Sequence, residues 1–209
     1  MKKLILINGL KRSGKDYTTD LIKEYIKKEH NQKTQTFSFA SPIKEIASEL
    51  FQISLEDLDD YKNDSDLYGI EIKAYPNNQP SATIKYLDFR TILQRLGSEA
   101  IKPIFGDDVW AVKAIQKVQE SEDEWNIISD FRFISEFKEA KRSGELNGFD
   151  VITINIFNDE LPSPDAHASE TELKDKDFKF DFVINNTGQP NIDDLVQDIV
   201  ENLRARIIS

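Results

Sequence analysis

Residues 3–16 read KLILINGLKRSGKD, a short apolar run that ends at a glycine and restarts as a charged helical pattern. Leu4, Ile5, Leu6 and Ile7 have the composition of a buried parallel strand. Gly9-x-x-x-x-Gly14-Lys15 follows, the phosphate-loop pattern GxxxxGK[ST] with Asp16 where a hydroxyl residue is expected. The spacing has a chemical reason. Glycines let successive backbone N–H groups turn inward around phosphate oxygens. The helix opening at Gly14 adds its positive end, and Lys15 reaches the outer phosphates. The bland alternative is an ordinary strand–turn–helix corner with a basic cap. On the phosphate reading, Gly9, Lys11, Arg12, Ser13, Gly14, Lys15, Asp16 and Tyr17 form the nucleotide cradle.

Strand and helix patterns alternate along the rest of the chain. Strands are expected at 34–39, 125–129, 150–157 and 181–185. Helices are expected at 14–29, from Ser41-Pro42 through Phe51, at 88–102 and 108–120, after Phe131 to Gly144, and at 191–207. Ser41 is expected to cap the second helix and Asp107 the one beginning at 108. Segments 61–85 and 158–180 lose periodicity. The first reads as a long surface loop or flexible hairpin, and both are natural covers for the site. Such alternation predicts an α/β fold, a three-layer α/β/α unit with a five-stranded parallel sheet. Ligands in such sheets lie at the carboxyl ends of the strands, where Gly9 and Asp130 should converge.

Charge narrows the partners. The 209-residue chain carries a formal net charge of −11, a poor basis for general binding to nucleic acid or a membrane surface. No apolar run approaches the roughly 20 residues needed to span a bilayer. The chain opens directly into a strand pattern without a cleavable signal, and it has no cysteine. A cytoplasmic location is expected, the host cytoplasm if the source is viral. Of the arginines, Arg204 and Arg206 suit a helix C-terminus. That leaves Arg12, Arg90, Arg95, Arg132 and Arg142 as candidate phosphate clamps.

Several constellations keep two readings. Asp16 is either a hard oxygen ligand for Mg²⁺ or a favourable charge at a helix N-terminus. Asp130, after a buried strand and two residues before Arg132, either positions a metal and its water or caps the helix at 131–143. Arg132 can fork onto a phosphate. Arg90, Gln94 and Gly97 share a helix face opposite the apolar stripe. That face either holds a monophosphate and a base edge or is simply solvated. Trp110 is either core or a stacking platform. His167 and Glu170, three apart in 158–180, read as a mobile cover contact or a surface pair. No Asn-Lys-x-Asp segment is present to read guanine, which disfavours a signalling GTPase.

In order along the chain, GLKRSGKD, FASPIKE, RTILQRLGSEAIKPIFGDDVW, ISDFR, HASETEL and FDFVINN resemble the deoxynucleoside monophosphate kinases of tailed bacteriophages. Animal-type phosphomevalonate kinases share the KRSGKD-like loop and the SD-x-R strand end. The resemblance implies an adenylate-kinase-like P-loop fold. Its core would comprise 1–40, 121–157 and 181–209, with an acceptor-binding lobe at about 41–120 and a lid at about 158–180. It implies transfer of the ATP γ-phosphate, with Mg²⁺, to a deoxynucleoside monophosphate by a monomer or homodimer. Lys15, Arg12, Asp130 and Arg132 take catalytic places on this view, with Asp16 and Asp130 at the metal. Lys44, Arg90, Gln94, Trp110 and Arg132 face the acceptor, and His167 and Glu170 lie in the lid. Lys102 stands where relatives often have arginine, and the lid offers only Lys174 and Lys176 as cations. The alternatives are a phosphomevalonate kinase-like phosphotransferase and a nucleotide-binding switch without turnover.

Overall fold

β1 (Lys3–Gly9) is the middle strand of a sheet ordered β2-β5-β1-β6-β7, with β2 Thr34–Phe37, β5 Trp125–Ile128, β6 Asp150–Phe157 and β7 Phe182–Asn185. Every neighbouring pair is parallel. The register sets Leu6 beside Ile128 and Gly9 beside Ile156. This computed structural model describes residues 1–10, 12–63, 69–74, 83–160, 172–173, 177–187, 196–197 and 199–201, with backbone alone at 62–63, 69–74 and 83–86.

The apolar run of β1 has a two-sided explanation, because successive side chains of a strand point to opposite faces. Ile5 and Ile7 join Ile22 and Ile26 of α1 (Lys15–His30) with Val196, Ile199 and Val200 on one face. Leu4 and Leu6 join Ala111, Ala114, Ile115 and Val118 of α6 (Val109–Glu120) and Ala140 of α7 (Ile134–Asn147) on the other. These are the three layers expected. Each fully buried Leu or Ile contributes about 1.5–3 kcal/mol. Of the expected helix at 191–207, residues 196–197 and 199–201 are described and are helical.

The chain divides into two compact units, Met1–Phe39 with Ala111–Ser209, and Ala40–Trp110. The second unit is shorter than the expected lobe of 41–120, because α6 buries its apolar face in the first unit's core. It contains α2 (Ser41–Phe51), α3 (Leu55–Asn63) and an antiparallel hairpin of β3 (Gly69–Ala74) and β4 (Thr83–Asp88). α4 (Phe89–Gln94), a π-helical stretch Arg95–Ile101 and α5 (Lys102–Phe105) complete it. Its own core gathers Ile43, Ala47, Leu58, Phe89, Ile92 and Leu93.

Local readings need correction at four points. Ser41 is the first residue of α2 rather than its cap; Ala40 occupies the cap and Pro42 lies in the first turn. α6 starts at Val109, whose N–H reaches the Gly106 carbonyl. The expected continuous helix at 88–102 widens at Arg95, where each turn takes an extra residue. Gly97 is therefore buried, not on the solvated face with Arg90 and Gln94. The 158–180 segment is not wholly a surface cover. Leu173, Phe178 and Phe180 pack into the core beside Phe131.

At the opposite edge of the sheet, Lys3 is only 2% exposed, 2.8 Å from Glu124 and 4.4 Å above the Trp125 ring. The Lys3 ammonium, helped by Gln32 and the N-terminus, holds the Glu124 carboxyl down at about 2, below its ordinary 4.5. That contribution is whole above about pH 4.5 and fades as pH falls toward 2. Replacing Glu124 by Gln leaves a buried ammonium without its counter-charge. We expect a loss of about 2 kcal/mol at pH 7 in urea unfolding, between an exposed and a fully buried pair. The deficit should shrink toward pH 2.

Candidate functional site

The carboxyl ends of the five parallel strands put the chemistry on one edge of the first unit. Gly9 ends β1, Ser38 follows β2, Asp130 follows β5 and Asn186 follows β7. Two hydrogen bonds tie the β1 end to the segment after β5. The Phe131 N–H donates to the Ile7 carbonyl at 3.2 Å, and the Asn8 amide donates to the Phe131 carbonyl at 2.7 Å. The phosphate loop and the Asp130–Arg132 segment are therefore neighbours by backbone construction.

The loop itself is closely built. A Cβ on Gly9 would lie 2.5 Å from Ser13 Oγ and 2.8 Å from the Ile156 carbonyl oxygen, so only glycine fits. Gly14 caps α1 with φ 91°, and Arg12 also takes a left-handed conformation, φ 69°. Left-handed positions of this kind turn successive backbone N–H groups to one side. The Asn186 amide donates to the Ser13 carbonyl at 3.0 Å and packs where a Gly14 side chain would be. In the first turns of α1, Thr18 and Thr19 donate their hydroxyls to the Gly14 and Lys15 carbonyls. Ser13 is fully buried, and its Oγ has no hydrogen-bond partner among the described residues. An unpaired buried hydroxyl is costly, and a bound phosphate oxygen would relieve it. Lys15 is half-buried, while Arg12, Asp16 and Tyr17 are exposed. Lys11 lies outside the described residues.

Asp130 is not the cap of the helix that follows. Its Oδ2 accepts from Ser38 Oγ at 2.6 Å and its Oδ1 from the Phe39 N–H at 2.8 Å. It thereby fastens the β2 end to the β5 end. The cap position of α7 belongs to Phe133, which has no polar side chain. Glu136 supplies the acceptor from within α7, taking the N–H groups of Arg132 and Phe133 at 2.7 and 2.9 Å. Burial pushes the Glu136 carboxyl up to about 8, against the pull of those two N–H groups and the Arg132 guanidinium.

The other expected residues are distributed as follows. In the second unit, Arg90 and Gln94 are exposed on α4. Lys44 is engaged with Asp59 at 2.5 Å. Trp110 donates its indole N–H to the Gly97 carbonyl at 3.3 Å and packs on that unit's core. Arg142 is not available as a phosphate clamp, since it forks onto Glu139 one turn back on α7. His167, Glu170, Lys174 and Lys176 lie outside the described residues. Asn186, Ser38 and Glu136 escape a reading by motif. Each acts through hydrogen bonds to backbone or carboxylate, one from Asn186 to Ser13, one from Ser38 to Asp130 and two onto Glu136, and their signal is a position just past a strand or three residues into a helix.

Among the described residues, no group of three or more His, Cys, Asp or Glu could cage a metal ion. Mg²⁺ does not need such a cage, since it takes one or two carboxylates and completes its shell with water and substrate phosphates. Asp16 and Asp130 fit that demand. No helix among the described residues is long and apolar enough to cross a membrane.

The model of the deoxynucleotide monophosphate kinase family matches residues 3–84, from β1 into β4. No curated protein matches the sequence. Among solved structures, the APS kinase of Mycobacterium tuberculosis aligns over 97% of this chain and 97% of its own, at 12% identity and TM-score 0.44. A candidate kinase of Chloroflexus aurantiacus aligns over 98% and 97%, at 14% identity and TM-score 0.49. The tunicamycin resistance protein of Deinococcus radiodurans aligns over 97% and 96%, at 13% identity and TM-score 0.45. The fold rests on the strand order and the glycine loop rather than on these likenesses. The match over 3–84 makes this part of the chain similar to the nucleotide monophosphate kinases, and it spans the glycine loop described above.

Gly9→Ala should force Ser13 or the Ile156 carbonyl aside, lowering stability by about 1–3 kcal/mol and nucleotide affinity at least about tenfold. Calorimetric titration with ATP checks the second effect. Glu136 makes the fold bind its proton more tightly than the unfolded chain does. Its contribution is whole below about pH 4.5 and is lost as pH rises through about 8. Thermal unfolding of Glu136→Gln between pH 5 and 9 should show a flatter pH dependence than the parent.

Proposed function

We propose that this protein is a nucleotide kinase that transfers the γ-phosphate of ATP to a deoxynucleoside monophosphate, yielding the diphosphate for DNA precursor supply. One observation carries the reading. The strand that leads into a glycine-built loop with an unpartnered buried hydroxyl is hydrogen-bonded, through the Ile7 carbonyl and the Asn8 amide, to the segment that carries Asp130 and Arg132. The match of residues 3–84 to the deoxynucleotide monophosphate kinases supports the choice of acceptor.

In this scheme the loop at residues 9–16 holds the ATP phosphates. An acceptor phosphate oxygen attacks the γ-phosphorus in line. The bond to the β,γ-bridging oxygen breaks, and its electron pair leaves with ADP. Lys15 and Arg12 neutralise the charge that spreads over the transferring group, while Arg132 aligns the acceptor phosphate. Asp16 and Asp130 would hold Mg²⁺, which when bound screens the phosphate charge. In the second unit, Arg90 and Gln94 serve the acceptor, Arg90 at its phosphate and Gln94 at its base or sugar edge. Lys44 and Trp110 support them through their bonds to Asp59 and Gly97. His167 and Glu170 belong to the covering segment in this scheme. Such transfer needs positioning and charge neutralisation and no covalent nucleophile.

The test is ADP release from ATP–Mg²⁺ with a panel of deoxy- and ribonucleoside monophosphates and mevalonate 5-phosphate. Turnover should appear with one or more deoxynucleoside monophosphates. Turnover with mevalonate 5-phosphate alone, or ATP binding without phosphorylated product, overturns the reading. Lys15→Ala should lower kcat by at least about a hundredfold. Arg90→Ala should raise the acceptor KM or lower kcat with the ATP KM unchanged, and a selective ATP defect would remove Arg90 from the acceptor side.

A further inference from the structure

We propose that Glu136 is a positioning residue for Arg132, holding the backbone of residues 131–134 so that the guanidinium meets the acceptor phosphate in a single geometry. The inference rests on the role given to Arg132 above.

Three consecutive N–H groups at the start of α7 end on carboxyl groups from two parts of the chain. Those of Arg132 and Phe133 converge on one oxygen of Glu136, at 2.7 and 2.9 Å. That of Ile134 reaches Glu172 Oε1 at 3.2 Å. Capping alone does not require this. A glutamate at the third helical position ordinarily returns to the N–H of the cap residue, here Phe133. Glu136 reaches one residue further back, to Arg132 itself.

The residue before the clamp is anchored as well. Phe131 is fully buried, makes edge contacts with Phe178 and Phe180, and is bonded at its N–H and carbonyl to Ile7 and Asn8. Arg132 thus stands between a side chain locked in the core and a carboxyl group locked under the helix. Those two anchors fix the point from which the Arg132 side chain leaves the backbone.

The burial of Glu136 is the second argument. It is 8% exposed, and a buried carboxyl is unfavourable unless its hydrogen bonds compensate. An apolar side chain would fill the space at less cost while leaving the Arg132 and Phe133 N–H groups unanswered. A helix N-terminus beside a phosphate loop could also serve as an anion site. Here Glu136 and Glu172 occupy its first N–H groups, so recognition of an anion passes to the Arg132 side chain. Displacements of about 1 Å in such a group cost on the order of a hundredfold in rate.

The test compares Glu136→Leu and Glu136→Gln, each alone and with Arg132→Ala, in the ATP–Mg²⁺ assay with the accepted monophosphate. Gln keeps a carbonyl oxygen for both N–H groups, and Leu has none. We expect Glu136→Leu to lower kcat or raise the acceptor KM by about 10- to 100-fold, with the ATP KM within about twofold. Glu136→Gln should stay within about threefold of the parent. Adding Arg132→Ala to Glu136→Leu should cost little more, since the two changes remove one function. Equal loss in the Gln and Leu variants, wild-type turnover of a folded Glu136→Leu protein, or additive effects in the double variant would each overturn the proposal. If Glu136→Leu does not fold, Glu136→Asp, one methylene too short to span both N–H groups, is judged by the same criteria. If Arg132→Ala turns over normally, it is the functional reading of Arg132 that has failed. If Arg132→Ala is impaired and Glu136→Leu is not, only the clamp has failed.

Discussion

The joint between β1 and the segment after β5 is the constraint on which the candidate site depends. Ile7 accepts from the Phe131 N–H, and the Asn8 amide returns to the Phe131 carbonyl. β1 is the central strand and is buried on both faces, so its carboxyl end has little freedom. Whatever leaves β5 inherits that rigidity. Asp130 then ties in the end of β2 through Ser38 and Phe39, and Asn186 closes over the Ser13–Gly14 peptide from the end of β7. Four strand ends meet at one edge through hydrogen bonds made where the strands stop and backbone groups fall free.

Carboxylates do much of this work inside the fold. The chain is acidic, but several of its acids are structural acceptors rather than surface charge. Asp130 bridges strand ends, Glu136 and Glu172 take the free N–H groups of α7, and Asp88 caps α4 through the Thr91 N–H and hydroxyl. Asp181 answers the Thr153 N–H and hydroxyl between strands. Lys3 and Glu124 do the corresponding work at the far edge of the sheet as a half-buried pair. Counted from composition, these charges argue about partners; placed in the fold, they argue about which backbone segments are held still.

Legibility in the sequence followed the range of the interaction. The parallel strands were readable because burial on both faces leaves a run of apolar residues, and β6 was expected at 150–157 and is found at Asp150–Phe157. The phosphate loop was readable because its glycines answer to contacts a few residues away, such as Gly9 with Ser13. The expected site residues that depend on distant partners behaved differently. Asp130 allowed a cap or a ligand reading, and only the approach of β2 shows its two oxygens held by Ser38 and Phe39. Arg142 counts among the five candidate clamps by residue type, and only the fold shows it forked onto Glu139. Gly97 looked like part of a solvated face until the π-helical stretch turned it onto Ile43 and Trp110.

By itself the sequence determined the alternation of strands and helices, the glycine cradle and the residue types able to meet phosphate, because each follows from local sterics and the periodicity of burial. Tertiary structure alone decided the order β2-β5-β1-β6-β7 and the meeting of Ile7 with Phe131. It also decided the use of Asn186 to close the loop and the reach of Glu136 back to Arg132. Those contacts join residues that local periodicity leaves independent, and they form only when parallel strands stack in register and their unpaired backbone groups must find partners. The phosphate loop was a cradle in the sequence; the neighbours that turn it toward an acceptor were supplied by the sheet.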